Sequence, residues 1–588
     1  MKTKKEVLLR LISFVLKHFK IHWGVVIVCI LVSSVVSLVS TLFIKTLIDD
    51  YVIPLTQVTN PEYASLAQTL FGLALVLLLG VACGYTYNLL MVFVSNGSLL
   101  RLRKKLFCHM EKLSIPYFDT HQHGQIMSVY TNDVDSFREM ISRALPTVFQ
   151  SGISILITFV SMVVLSIPLT LVSVALSVIM LRLTVGLAMQ ARVHFKTQQD
   201  KLAEVNGFIE EMMTGQKVVK VFCHEEEAKE QFADINEGLR MAADRANKIV
   251  SIIMPLNGNL GNLGYVLIAV VGASLSLHGY ISLSIGTLVS FLTLNRNFMM
   301  PISQMSQQMN TIINASAGAE RMFNLMDEPS EIDEGTYEIL PDKAEGNFAL
   351  EHVNFGYTPE KQILFNMNLQ VRANQKIAFV GGTGAGKTSI INLITRFYEF
   401  QGGKILFDGI SISDIKKNSL RSCLGMVLQD TCLFTGTVID NIRYGRLTAT
   451  DEECMAAACL IGSDDFIRRL TNGYQTLLEN SGKNLSQGER QLLAITRAAV
   501  ANPPVLIMDE ATSSIDTHSE QLVQRGMDTL MKGRTTFVIA HRLSTVRSAD
   551  VINVLEAGHI IEQGTHEQLL AKKGKYYQLY TGNTTLLQ

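Results

Sequence analysis

From Pro146 to Gln190 the chain carries a single charged side chain, Arg182. As one helix, at about 1.5 Å per residue, this stretch would be roughly twice as long as a bilayer's hydrocarbon core is thick, so it cannot be a single crossing. Ser166-Ile167-Pro168 near its middle is where a tight hairpin divides it in two. Further apolar runs bring the expected spans to six, at 21–44, 66–95, 146–167, 169–190, 249–277 and 284–312. The overall 48% hydrophobic content and mean hydropathy of +0.25 therefore reflect a membrane-embedded first part rather than a uniform chain. Residues 1–20 are basic and amphipathic, and because the run that follows is long enough to span, they read as an interfacial helix and not a cleavable signal.

Lys and Arg set the orientation. They are concentrated before the first span and in 97–145 and 191–248, and are almost absent from the other three loops, which places both termini in the cytosol. The two basic segments are far longer than ordinary connections and keep helical periodicity, so they extend the spans into the cytosol. Thr131-Asn132-Asp133 with Val134-Asp135, and Gly215-Gln216-Lys217-Val218 onward to Phe222, lie near their midpoints, where such helices are expected to turn back. Arg182, about 21 Å beyond Pro168 along a helix, is deep enough to snorkel to the cytosolic headgroups. Arg296 lies within the sixth span, where an ionisable group lines a cavity or joins helices.

A net charge of -1, with no basic stripe interleaved with aromatics, gives no reason to expect nucleic acid as a partner. The eight cysteines show no metal-ligand spacing and read as reduced thiols. Residues 316–346, acidic and containing Pro and Gly, read as a linker. From 347 to 588 short β-rich runs alternate with helical ones, as in an α/β domain. The fold class expected is thus a membrane helical bundle, residues 21–315, fused to an α/β P-loop domain.

Gly381-Gly382-Thr383-Gly384-Ala385-Gly386-Lys387-Thr388-Ser389 follows the apolar run "KIAFV" and precedes a helical one. In that context the glycines let backbone N–H groups cradle phosphates, Lys387 neutralises β and γ oxygens, and Thr388 can ligate Mg²⁺. "VLIMDE" is a buried strand ending in Asp509, which would hold Mg²⁺, and Glu510, which would orient or deprotonate the attacking water. Ser486-Gln487-Gly488-Glu489 opens another helix, whose N-terminus is a second anion site.

With Tyr357, Gln429, "SSID" ending in Asp516, and His541, these motifs follow one another as in the nucleotide-binding domain of ATP-binding cassette (ABC) transporters, and the whole chain resembles an exporter half of that superfamily. The resemblance implies that Tyr357 stacks on adenine, that Gln429 links Mg²⁺ and water to the membrane domain, and that His541 bonds the γ-phosphate. It also implies that Ser486 and Gly488 touch ATP held by a partner's P-loop, and that the two turn-back segments are coupling helices. Implied with these are ATP and Mg²⁺ as cofactors, a second half-transporter as partner, and a multi-pass place in the cell membrane.

Arg296, Met299 and Met300 on the sixth span suit a cavity for amphipathic or hydrophobic compounds of multidrug type. A lipid or lipopeptide flippase shares this architecture, and an ATP-gated channel or regulator is the alternative of another class. Against the family's commonest signature, Leu-Ser-Gly-Gly-Gln, this chain has Gln487 and Glu489. A carboxylate facing a polyphosphate opposes closure. That resembles one subunit of the bacterial heterodimeric multidrug exporters, so a different chain is the expected partner.

Overall fold

A computed structural model of the chain describes residues 4–57, 63–278, 283–429, 431–479, 482–510, 517–540 and 543–581. The fold has two compact units: Met1–Glu111 with His123–Glu328, and Lys112–Gln122 with Pro329–Gln588.

The first unit is built of long helices. Lys4–Thr46 breaks at Phe19, whose backbone (φ -130, ψ 32) leaves the helical region, so an amphipathic turn and a spanning segment meet there. Ala64–Met110, His123–Leu165, Ile167–Thr214, Glu225–Leu277 and Ile285–Asp327 follow. The hairpin falls at Ser166, which is extended (φ -166, ψ 112), with Pro168 in the first turn of the next helix, where a missing N–H costs nothing. Val164 and Leu277 are 79% and 87% exposed, whereas Ser173 and Ser290 are fully buried. Apolar outside and small polar groups within is the packing expected when lipid is the solvent.

Two sequence expectations are revised, the start of the linker and the place of the first turn-back. Among the described residues five helices are long and apolar enough to cross a membrane, including Gly258–Leu277, and the helix of the sixth expected span is not one of them. That helix, Ile285–Asp327, buries Phe291, Leu294 and Asn295 within the bundle, so less of it needs to be lipid-like. The linker expected at 316–346 begins only at Glu328, since the last helix continues through Asp327. The first turn-back is not at Thr131–Asp135. Those residues lie inside the helix His123–Leu165, in and beside a π turn over Val129–Asp133, and the chain reverses instead around the short helix Ile115–Thr120. Asp133 is buried there and paired with Arg321, whose Nε donates to it at 2.9 Å. The second reversal occupies the short helix Gln216–Phe222, entered through Gly215 and left through Cys223 at φ 57.

Among its described residues the second unit holds twelve strands: β1 (Phe348–Thr358), β2 (Lys361–Val371), β3 (Lys376–Gly381), β4 (Gly402–Phe407), β5 (Ile410–Ser411), β6 (Leu424–Val427), β7 (Gly436–Thr437), β8 (Leu477–Leu478), β9 (Val505–Glu510), β10 (Thr535–Ala540), β11 (Val551–Glu556) and β12 (His559–Gly564). Six form a sheet in the order β12-β11-β3-β10-β9-β6, parallel except for β12. Both faces are covered. Ala378, Leu506, Met508 and Val538 enter one core, while Ile377, Phe379, Ile507 and Phe537 enter the other, as the two-residue period of a strand requires. An antiparallel sheet β2-β1-β4-β5 packs into the second core through Phe348 and Phe407. The acidic linker is tied down here: Arg421 donates to Glu331 at 2.6 Å and Lys417 at 3.3 Å. Burial opposes the Glu331 charge, yet these cations hold its carboxyl below the ordinary range. All eight cysteines are free thiols.

Candidate functional site

A parallel sheet presents its ligands at the C-terminal strand ends, and both phosphate-related motifs lie there. β3 runs into the glycine loop, and Gly386 at φ +101 begins the helix Lys387–Ile394. A Cβ on Gly386 would stand 2.6 Å from Leu364 Cδ2, and one on Gly381 would stand 2.3 Å from the Leu555 carbonyl oxygen. Glycine is needed at each, for conformation at the first and for space at the second, where the obstacle is backbone. The Lys387 ammonium donates to the carbonyl oxygens of Gly381 and Gly382 at 2.7 and 2.9 Å. Burial pushes its pKa below the ordinary lysine value, and the Asp509 carboxylate pulls the other way. Thr388 is exposed on the first turn, while Ser389 is buried. Thr383, Gly384 and Ala385 complete the loop beside a cavity of about 220 Å³ walled by Leu555 and Ala557.

Tyr357, 44% exposed, is anchored by its hydroxyl to Ser389 Oγ at 3.0 Å and to Asn392 Nδ2 at 3.1 Å. Its ring meets Tyr398 edge-on, with centroids 4.9 Å apart. Tyr398 in turn donates its hydroxyl to Asp119 Oδ2 at 2.7 Å, and burial, then Asp119, pushes the phenol pKa above its usual value. Asp119 belongs to the first reversal of the chain, so a continuous chain of contacts joins that reversal to the helix behind the glycine loop. Sequence reasoning missed Tyr398 and Asp119, because nothing local marks two residues so far apart as partners.

Asp509 and Glu510 end β9, paired across β10 with Ile539 and Ala540. Gln429 is exposed just after β6. The Glu510 side chain, Asp516 and His541 lie outside the described residues.

The signature loop holds a device encoded in its own four residues. Ser486 is the N-cap of the helix Gln487–Ala501: its Oγ accepts from the Glu489 N–H at 3.3 Å, and the Glu489 carboxylate accepts the Ser486 N–H at 2.8 Å. Ser-x-x-Glu before an apolar run is the capping-box pattern. Glu489 therefore has a role within its own helix, which its reading as a bare repulsive charge overlooked. Gly488 is buried and Gln487 exposed.

In the membrane unit the proposed cavity residues divide. The Met299 sulfur accepts from Ser177 Oγ at 3.3 Å, whereas Arg296 and Met300, one helical turn apart, are exposed, as is Arg182.

Comparison with known proteins agrees with this architecture. Residues 23–302 match the family described as ABC transporter transmembrane region, and 364–513 the one described as ABC transporter. A fatty acid ABC transporter ATP-binding/permease protein of Mycobacterium tuberculosis is 38% identical over 88% of this chain and 82% of its own length. An ATP-dependent lipid A-core flippase of Syntrophus aciditrophicus is 34% identical over 98% and 94%. A Staphylococcus aureus ATP-binding/permease protein named for multidrug export is 35% identical over 83% and 84%. With a glycine loop, a carboxylate strand end and a capped signature helix in one cassette behind a membrane bundle, the chain belongs to the ABC transporter family, as an exporter half that acts as a dimer and couples ATP hydrolysis to transport.

Proposed function

We propose that the chain exports amphipathic or hydrophobic compounds across the cell membrane, with both termini cytosolic, as one half of a heterodimer. The observation that carries the dimeric arrangement is that one cassette builds two anion-receiving turns, at Gly381–Ser389 and at Ser486, where a single nucleotide needs one. The second serves the nucleotide of the partner cassette. Heterodimerisation is supported by Glu489: its carboxylate spends the Ser486 N–H and offsets the positive end of the helix that would receive a partner's γ-phosphate. That weakens one composite site while this chain's own Lys387, Asp509 and Glu510 remain to run the other.

An exposed Thr388 hydroxyl and the Asp509 carboxylate are hard oxygen donors that fit Mg²⁺, which takes few protein ligands besides phosphate and water. Bound there, the ion would offset charge on the transferred phosphoryl group. Lys387 binds the β and γ oxygens, Tyr357 positions the base, Glu510 orients the water, and Gln429, His541 and Asp516 complete the site as in the family. Gly215–Phe222, and the reversal at Ile115–Thr120 in place of Thr131–Asp135, are the coupling segments in this reading.

Glu510→Gln is expected to keep ATP affinity and to lose about 10²–10⁴-fold in turnover, because the amide is no base. The assay is ATP binding beside hydrolysis in lipid nanodiscs. Near-normal turnover removes Glu510 from its role. In the same nanodiscs, the compounds that stimulate ATPase activity separate drug export from lipid flipping.

A further inference from the structure

Three helices of the membrane unit converge on a cleft of about 540 Å³: the first helix ahead of its break at Phe19, Ala64–Met110 near its basic end, and the last turns of Ile285–Asp327. Arg10, Lys17, His18, Arg101 and Lys105 line it, and among the described residues no carboxylate does. Phe14 and Phe323 supply its apolar part. Arg10 is held from behind by both oxygens of Asp327, at 2.6 and 2.7 Å, and lies over the Phe323 ring at 4.2 Å. Arg101 lies 5.2 Å from the centroid of the Phe19 ring. Both guanidiniums are thus positioned before any ligand arrives. Lys17, Arg101 and Lys105 form no ion pair among the described residues. Asp327 is taken up by Arg10, so the remaining like charges repel, and an anion among them relieves that repulsion.

We propose that this cleft binds the phosphate of an anionic phospholipid. A free phosphate offers the same chemistry, but the surroundings favour a lipid. Leu16, Ile21 and Leu100, close in sequence to the cations, are 39%, 81% and 72% exposed, and an acyl chain covers such side chains where a soluble ion does not. Lys17 precedes the first long apolar run and Arg101 and Lys105 follow the second, the positions in sequence where headgroups are expected to meet basic side chains. Such a lipid clamps the N-terminal helix onto two others, whatever compound the protein exports.

The test uses the full-length transporter in nanodiscs of phosphatidylcholine with and without phosphatidylglycerol, reading retained lipid by native mass spectrometry and melting temperature in each. Phosphatidylglycerol is expected to be retained selectively and to raise the melting temperature. The combined variant Lys17→Ala, Arg101→Ala, Lys105→Ala is expected to hold it roughly a hundredfold more weakly, with its melting temperature in phosphatidylcholine unchanged as evidence of folding. Should that variant not fold, the exposed Lys17→Gln alone is expected to weaken retention about fivefold. Equal retention by a folded variant and the parent overturns the proposal. So does displacement of the lipid by excess inorganic phosphate, which would assign the cleft to a soluble anion.

Discussion

Glu489 shows how one carboxylate serves structure and function in opposite senses. It closes the box with Ser486, so Glu489→Ala loses that cap at about 1 kcal/mol, while Glu489→Gln keeps the side-chain acceptor and removes the charge. The glutamine variant is therefore expected to strengthen ATP-driven dimer closure, and the alanine variant to lower thermal stability. A glutamine variant with unchanged nucleotide-dependent dimerisation would show that the charge has no bearing on the partner's site. Lys387 carries a pH signature. Its ammonium is the form that binds phosphate, and burial lowers its pKa, so affinity present at neutral pH is lost on the alkaline side earlier than an exposed lysine would allow. Phosphate oxygens favour the charged form, so ATP binding in that alkaline range takes up protons. Calorimetry in buffers of different ionisation enthalpy measures this, and no uptake there would mean that the lysine stays charged throughout.

At the scale of elements, "TNDVD" shows what a motif's position alone leaves open. Two long helices must reverse somewhere in 97–145, and the acidic stretch near the midpoint was a reasonable place for it. The chain reverses earlier, around Ile115–Thr120, and Asp133 instead joins helix His123–Leu165 to helix Ile285–Asp327 through Arg321. Gly318 leaves room for this, since a Cβ there would be 3.1 Å from Asp133 Oδ1. The Asp133 side chain is buried but that of Arg321 is 59% exposed, so the pair ranks between surface and interior. Asp133→Ala is expected to cost about 1–2 kcal/mol. A double-mutant cycle with Arg321→Ala, read by thermal unfolding, measures the coupling; independent effects would mean the contact is incidental.

For the whole molecule the question is the partner. Expressed without another half, the chain is expected to purify as an unstable or weakly active dimer, and coexpression with its partner to restore transport-coupled ATPase. A stable homodimer with the full activity of native membranes would sink the heterodimer reading and leave the exporter reading intact.

Local chemistry was legible in the sequence, because it is written in neighbouring residues. The glycine loop, the carboxylates after "VLIM", the apolar runs and their Lys and Arg flanks each act over a few turns or one strand, so spacing alone was enough to place them. The capping box was equally local and could have been read from Ser486-x-x-Glu489. The ties of Tyr398 to Asp119, of Arg321 to Asp133 and of the Lys17, Arg101 and Lys105 cleft were not legible. Each joins residues from separate parts of the chain, and their proximity depends on packing energy summed over whole elements rather than on any short pattern.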